Sequence, residues 1–479
     1  MRIQVIARNM GLVLLVNALF MVIAVVVSAL YGFDTGFSPL LLSAIITATI
    51  GSFPFIFVRK ASDVAIREGY LIVVFSWVLS CLFGMLPYLL WGGEFTLINA
   101  WYESVSGYTT TGGTILTNVE GIPHSLLFWR ASTHWIGGMG VVIFMLLILP
   151  EVSSIRLKLS RIEISELSQK SYRFRAKETV RVIAYVYFGL TLLEVIALWL
   201  AGMNLFDAVC HSFSTIATGG FSTRNASIAS YNSVLIETIV LVFMCLSSVH
   251  FGMIFLLLAK GSTTLFKSPV TRYYIVSSLI VGVLVSLNLW YTGTFGSLGE
   301  SFRHGIFQTF SLVSTTGFAT TDSSLWPNFS ILLLLFLILQ GGCSGSTTGG
   351  IKSDRILIAF YSIKAHITKR LHPKSVVPTR VGGQALDPDM VSGVNLFIIL
   401  YLLCLFVIAL LLSLTGLDFM DAVSASFAHI GNVGPGFGSV GSMSNYNAFN
   451  GFSKFVLSVS MIMGRIELFG FFILFSSHK

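Results

Sequence analysis

Charge is what this 479-residue chain has least of: Asp, Glu, Lys and Arg make up only 10% of it, against 54% hydrophobic residues. A soluble domain carries about 25% charged residues, so a water-exposed surface along most of the chain is excluded. Cysteine is also sparse. Cys81, Cys210, Cys245, Cys343 and Cys404 fall in apolar or glycine-rich stretches without CxxC spacing, which argues against a disulfide framework or a zinc site. No group of acids, bases or metal ligands clusters at membrane depth, so an integral-membrane enzyme finds no support. A dinucleotide fingerprint is missing too, so no organic cofactor is expected on this chain. The first charge-free stretch, Asn9 to Phe33 behind Arg2 and Arg8, lacks a small-x-small cleavage site and reads as a retained helix, not a secretory signal.

What is present is a series of apolar stretches of about 20 residues, the length that crosses the hydrocarbon core. They lie near 11–32, 39–58, 70–92, 125–150, 181–202, 234–260, 272–292, 330–360, 391–415 and 453–476, which predicts an all-α integral membrane protein with ten crossings. With both termini in the cytoplasm, most of the 29 basic residues fall on the inner side, in 59–67, 151–181, 260–272 and 352–380. That is the positive-inside bias. Outside remain Arg130, Arg224, Arg303 and Lys454 against a larger set of acids that includes Glu103, Asp207, Glu237 and Asp421. The outer face is therefore expected to attract cations.

Between pairs of crossings sit four shorter segments, 97–110, 205–217, 302–314 and 419–431, suited to re-entrant half-helices. Each runs into a glycine turn: Thr109 to Gly113, Ala217 to Gly220, Ser314 to Gly317 and Gly431 to Gly434. Phe213, Phe310 and Phe427 each precede the last glycine of their turn by seven residues, and Asp207 and Asp421 by thirteen. Glycines that merely pack helices do not recur behind a fixed upstream half-helix. Non-helical backbone at membrane depth is tolerated only where it is buried in protein or lines water, so four such breaks imply a common pore. A ring of backbone carbonyls there could replace the water shell of a cation, with glycine accepting the positive φ required. Thr110, Thr111, Thr218, Thr315 and Thr316 could steady the turns through their hydroxyls.

These turns resemble those of the Trk/Ktr/HKT superfamily of potassium transporters, in which one chain carries four unequal copies of a potassium-channel pore unit. The two helices ahead of the repeats point to its TrkH branch. The resemblance implies pore repeats at 69–151, 152–260, 261–380 and 381–479 behind two extra helices in 1–68. It implies K⁺ as the permeant ion, bound only at a selectivity filter of Thr110, Thr111, Gly112, Gly113, Thr218, Gly219, Gly220, Thr315, Thr316, Gly317, Asn432, Val433 and Gly434. The family's signature glycines map onto Gly113, Gly220, Gly317 and Gly434, with Gly112 and Gly436 as alternatives in the first and fourth repeats.

The eighth crossing is interrupted at Gly341, Gly342, Cys343, Ser344, Gly345, Ser346, Thr347, Thr348, Gly349 and Gly350, a composition through which a helix does not persist. The resemblance makes this an intramembrane gate under the filter; a passive kink is the plain alternative. Gly345, Gly350, Lys352 and Ser353 do not form a phosphate-binding loop, because Ile351 intervenes and no strand precedes. Arg465, in the last apolar stretch, is by its position a candidate functional charge. The resemblance makes it a cation barrier below the filter, while snorkelling or a pair with Glu467 would be structural.

The expected setting is the inner membrane of a bacterium. The resemblance also implies a homodimer and a cytosolic nucleotide-binding regulatory subunit of the TrkA type, for which the basic loop 152–181 offers a docking surface. No nucleic acid is expected. Whether proton or sodium movement is coupled stays open. An alternating-access secondary transporter is the other reading; its two related halves fit four parallel repeats less well.

Overall fold

The computed structural model describes residues 3–58, 66–148 and 176–473. Most of the expected basic loop 152–181, the segment 59–65 and the end of the chain beyond Ile473 lie outside the described residues. In hydrocarbon each backbone N–H and C=O must find its partner within the protein, so apolar stretches become helices. Among the described residues six helices are long and apolar enough to cross a membrane: Ile6–Leu30, Phe37–Phe57, Leu71–Trp91, Arg181–Leu200, Pro269–Tyr291 and Pro388–Ser413. A seventh counts if Val234–Ser247 and Phe251–Lys260 are taken as one span bent by 102°. The stretch expected at 125–150 is the helix His124–Ile148.

Three expected crossings are divided. The stretch 330–360 forms Asn328–Gln340, a non-helical loop, and Ser353–Leu371. The stretch 234–260 breaks at Ser248 to His250, and 453–476 breaks after Arg465 before Leu468–Ile473. A two-residue antiparallel hairpin, Arg380–Val381 with Gln384–Ala385, turns the chain between Leu371 and Pro388.

The burial pattern departs from a soluble protein's on both surfaces. Leu19, Ile45, Leu193, Ile399 and Phe406 are exposed on the outside of the helices, whereas Ser106, Thr133, Ser214, Ser311, Ser424 and Ser458 are fully buried. Small and hydroxyl residues at internal seams let backbones approach closely and give polar groups local partners. Gly11 and Gly51 do this where the first two helices cross: a Cβ on Gly11 would lie 2.5 Å from the Gly51 carbonyl oxygen. Asp34, in the loop that joins the two helices, ties this pair to the helix at His124, accepting from the Ser125 N–H at 3.0 Å and the Ser28 hydroxyl at 2.6 Å.

Four half-helices point into the interior: Leu97–Tyr108, Leu205–Ile216, Leu298–Val313 and Phe419–Ile430. The second starts where Asn204 accepts from the Asp207 N–H, and the third where Ser297 accepts from the Glu300 N–H. Such caps satisfy an otherwise orphaned donor at the helix start.

Candidate functional site

Each half-helix ends in the same backbone knot. The N–H groups of Thr109, Ala217, Ser314 and Gly431 reach back to the carbonyls of Val105, Phe213, Phe310 and Phe427. Those of Thr110, Thr218, Thr315 and Asn432 reach Gly107, Thr215, Leu312 and His429, and those of Thr111, Gly219, Thr316 and Val433 reach Ser106, Ser214, Ser311 and Ala428. The middle residue of each set is left-handed, with φ of 53°, 56°, 55° and 52°. For a residue with a Cβ that conformation costs roughly 1–2 kcal/mol, and the three repeated hydrogen bonds offset it.

Two residues further on, Gly112, Gly220, Gly317 and Gly434 have φ of 83°, 81°, 81° and 91°. Here glycine is required twice over, because the ring leaves no room for a side chain. A Cβ on Gly112 would lie 1.9 Å from the carbonyl oxygen of Gly219, one on Gly220 1.9 Å from that of Thr316, one on Gly317 2.3 Å from that of Val433, and one on Gly434 2.4 Å from that of Thr111. Each turn thus abuts the next in chain order and the fourth abuts the first: the four segments close a ring of backbone.

This geometry corrects the expected register of the first turn. Gly112 is the equivalent of Gly220, Gly317 and Gly434, whereas Gly113 has no positive φ and faces the hydroxyl of Tyr102. In the fourth turn Gly434 holds the position, and Gly436 packs against Ser424 instead.

On one side of the ring lies a vestibule open to solvent, lined by all four glycines and by Ser222, Asn225, Ser442 and Ser444. The charged residues on its wall are Arg130 and Arg224. Three of the acids expected on the outer face are ion-paired. Glu103 pairs with Arg130 at 2.6 Å, Asp207 with Arg224 at 2.9 Å and Glu237 with Arg303 at 2.7 Å. The carboxylates also fasten the segments that follow the turns. Glu103 accepts from the Ile115 N–H at 3.0 Å, Asp207 from the Thr223 hydroxyl at 2.6 Å and Asp421 from the Ser439 N–H at 2.8 Å. Arg130 also donates to the Ser222 carbonyl at 3.0 Å and lies 3.5 Å from the Phe221 ring centre.

Against the other face of the ring runs the loop Gly341 to Gly350. The Gly349 N–H donates to the Thr315 hydroxyl at 2.9 Å, and the Thr347 hydroxyl to the Ile216 carbonyl at 3.0 Å. A Cβ on Gly349 would lie 2.1 Å from the Gly431 carbonyl. The loop therefore touches the ends of the second, third and fourth half-helices. Arg465, the last residue of its helix, donates to the Thr347 carbonyl at 2.7 Å and to the Gly137 carbonyl at 3.2 Å. One guanidinium so joins the loop to the long helix of the first repeat. Glu467 pairs with Arg355 at 2.6 Å, a partner the sequence reading did not consider.

The bend at Ser248 to His250 was also missed. The Cys343 N–H donates to the Ser248 carbonyl at 2.9 Å, and the Phe251 N–H to the Gly345 carbonyl at 3.1 Å. The helix yields these groups to the loop, and the His250 imidazole accepts from the Gly252 N–H at 3.0 Å to restart it. Tyr446 was missed as well: its hydroxyl donates to the Gly434 carbonyl at 2.8 Å. Nothing in its local sequence sets it apart. Among the described residues no group of three or more His, Cys, Asp and Glu is arranged to hold a metal ion.

The chain is similar to known proteins over most of its length. A sequence model of the TrkH family, described as cation transport protein, matches residues 40–479. The Trk system potassium uptake protein TrkH of Halomonas elongata is 33% identical over 480 residues, covering 99% of both chains. The Escherichia coli K12 protein of the same name is 36% identical over 356 residues, 74% of each. The crystal structure of the potassium transporter TrkH from Vibrio parahaemolyticus superimposes with a TM-score of 0.89 at 34% identity, covering 99% of each chain.

Proposed function

The chain belongs to the TrkH family of cation transport proteins, and from that premise we propose that it takes up K⁺ through a single pore. K⁺ enters from the outer vestibule, exchanges its water shell for backbone carbonyls of the four turns, and moves inward. The observation that carries this reading is the closed ring, in which each positive-φ glycine abuts a carbonyl of the following turn. Rings of backbone carbonyls are a known device for cation selectivity. One ring built from four turns also favours a pore over two halves that rock around a midplane site.

In this reading Thr110 to Gly113, Thr218 to Gly220, Thr315 to Gly317 and Asn432 to Gly434 form the filter, each turn belonging to one of four helix, half-helix, helix repeats in a ten-crossing protein of the bacterial inner membrane. The loop Gly341 to Gly350 is the gate: its hydrogen bonds to the second and third half-helix ends and its close approach to the fourth hold it across the passage below the ring. Arg465 holds it shut and adds a positive charge there. A homodimer with a TrkA-type cytosolic subunit would supply regulation. Expression in cells lacking K⁺ uptake tests the reading: growth on low K⁺ is expected, and its absence with the protein in the membrane would oppose it.

A further inference from the structure

The four turns are not fastened alike. In the first, the Ser106 hydroxyl donates to the Gly113 carbonyl at 2.6 Å; in the third, the Ser311 hydroxyl donates to the Phe318 carbonyl at 2.6 Å. Both serines lie six residues before the turn glycine, and both hold the carbonyl just past it. In the second turn the equivalent Ser214 faces His134 at 3.3 Å. In the fourth the position is Ala428, which has no hydroxyl. Tyr446 is the substitute, and it acts one residue earlier, on the carbonyl of Gly434 itself. Among the described residues no side-chain donor reaches the carbonyls of Gly112, Gly220 or Gly317.

The phenol is well placed to keep that bond. Tyr446 is buried, its ring packs edge-on against His429 and Phe449, and its N–H donates to the Thr114 carbonyl at 2.8 Å. The His429 Nδ1–H donates to the Ala425 carbonyl at 2.7 Å, so Nε2 accepts from the Tyr102 hydroxyl at 2.6 Å. Tyr102 is therefore committed to His429, and Tyr446 has the Gly434 oxygen to itself.

We propose that Tyr446 is a positioning residue for cation selectivity, fixing the fourth glycine carbonyl of the ring through its phenolic hydroxyl. A carbonyl oxygen has two lone pairs; one is held by Tyr446, and in the filter reading the other is left for the ion, at a distance set by the phenol. A smaller cation such as Na⁺ requires the oxygens to move inward, and a fastened carbonyl resists that movement. The inference rests on the filter reading above.

Reversal potentials of the purified protein in lipid bilayers under K⁺ and Na⁺ gradients test it. Tyr446→Phe keeps the ring packing and the backbone bond to Thr114. It is expected to lower the K⁺ to Na⁺ permeability ratio by about fivefold, the size that one neutral hydrogen bond carries. Tyr102→Phe, which leaves the Tyr446 to Gly434 bond in place, is expected to keep the ratio. An unchanged ratio in Tyr446→Phe, or an equal fall in Tyr102→Phe, would overturn the inference while leaving the filter reading intact. An unaltered protein that does not select K⁺ would instead overturn the filter reading. If Tyr446→Phe fails to fold, 3-fluorotyrosine at position 446, a stronger donor of the same shape, is expected to raise the ratio; no change would overturn the inference.

Discussion

Arg465 and Thr347 meet below the ring although 118 residues separate them, the guanidinium donating to the Thr347 carbonyl at 2.7 Å. The same side chain also reaches the Gly137 carbonyl at 3.2 Å, so it spans the space between the loop and the first repeat. Charge-assisted hydrogen bonds of this kind are about twice as strong as neutral ones. Replacing Arg465 by Ala removes both bonds and a positive charge, and K⁺ flux is expected to rise. Arg465→Lys keeps the charge but lacks the fork that reaches two carbonyls, so flux should fall between the two. A drop in flux for Arg465→Ala at normal expression would assign the residue to structure alone.

The loop itself offers a second test. A Cβ on Gly349 would lie 2.1 Å from the Gly431 carbonyl, and neither backbone can give way cheaply. Gly349→Ala should push the loop away from the fourth half-helix and raise basal K⁺ flux, as should deletion within Gly341 to Gly350. Flux unchanged in both variants would make the loop a passive kink.

The register of the first turn can be checked by substitution. Gly112→Ala places a methyl against the Gly219 carbonyl at a positive φ, where alanine is strained. Loss of K⁺ selectivity or of assembly is expected. Gly113→Ala meets the Tyr102 hydroxyl and no backbone atom, at a φ that alanine adopts without strain, and a milder effect on K⁺ over Na⁺ permeation is expected. The reverse order would restore Gly113 as the signature residue.

Asp34 gives a prediction about stability and pH. Burial raises its carboxyl, but hydrogen bonds from the Ser125 and Ser28 hydroxyls and the Ser125 and Gly36 N–H groups outweigh it and hold the group below its ordinary value. A depressed carboxylate stabilises the fold above its unfolded value of about 3.9, and that contribution is lost as pH falls through the folded value. Asp34→Asn should cost about 1.5–3 kcal/mol at neutral pH, the range for hydrogen bonds to charged groups. Thermal unfolding in detergent followed from pH 7 down to about pH 2, below the folded value, would read both, and an equal melting temperature for variant and parent at pH 7 would contradict this.

Much of this architecture is legible because it is written locally. The half-helix lengths, the hydroxyl-rich turns and the glycines after Phe213, Phe310 and Phe427 all lie within a few residues of one another. The first turn resisted because Val105 stands where the other three have phenylalanine, so the offset that identified Gly220, Gly317 and Gly434 had no anchor there. The bend at Ser248 is invisible for a different reason. No glycine or proline marks it, and what breaks the helix is the competition of Cys343 and Gly345 for its backbone groups, nearly a hundred residues away. The ion pairs are invisible for the same cause: Glu103, Asp207 and Glu237 each meet an arginine that only the fold brings near.

The central claim is that four unequal turns close one ring that selects K⁺. Reversal-potential measurements on the purified protein in bilayers, with K⁺ on one side and Na⁺ on the other, test it most directly. A reversal potential displaced toward that of K⁺, and abolished by Gly220→Ala, is the predicted result. Equal permeation of Na⁺ and K⁺ by the unaltered chain would contradict the account.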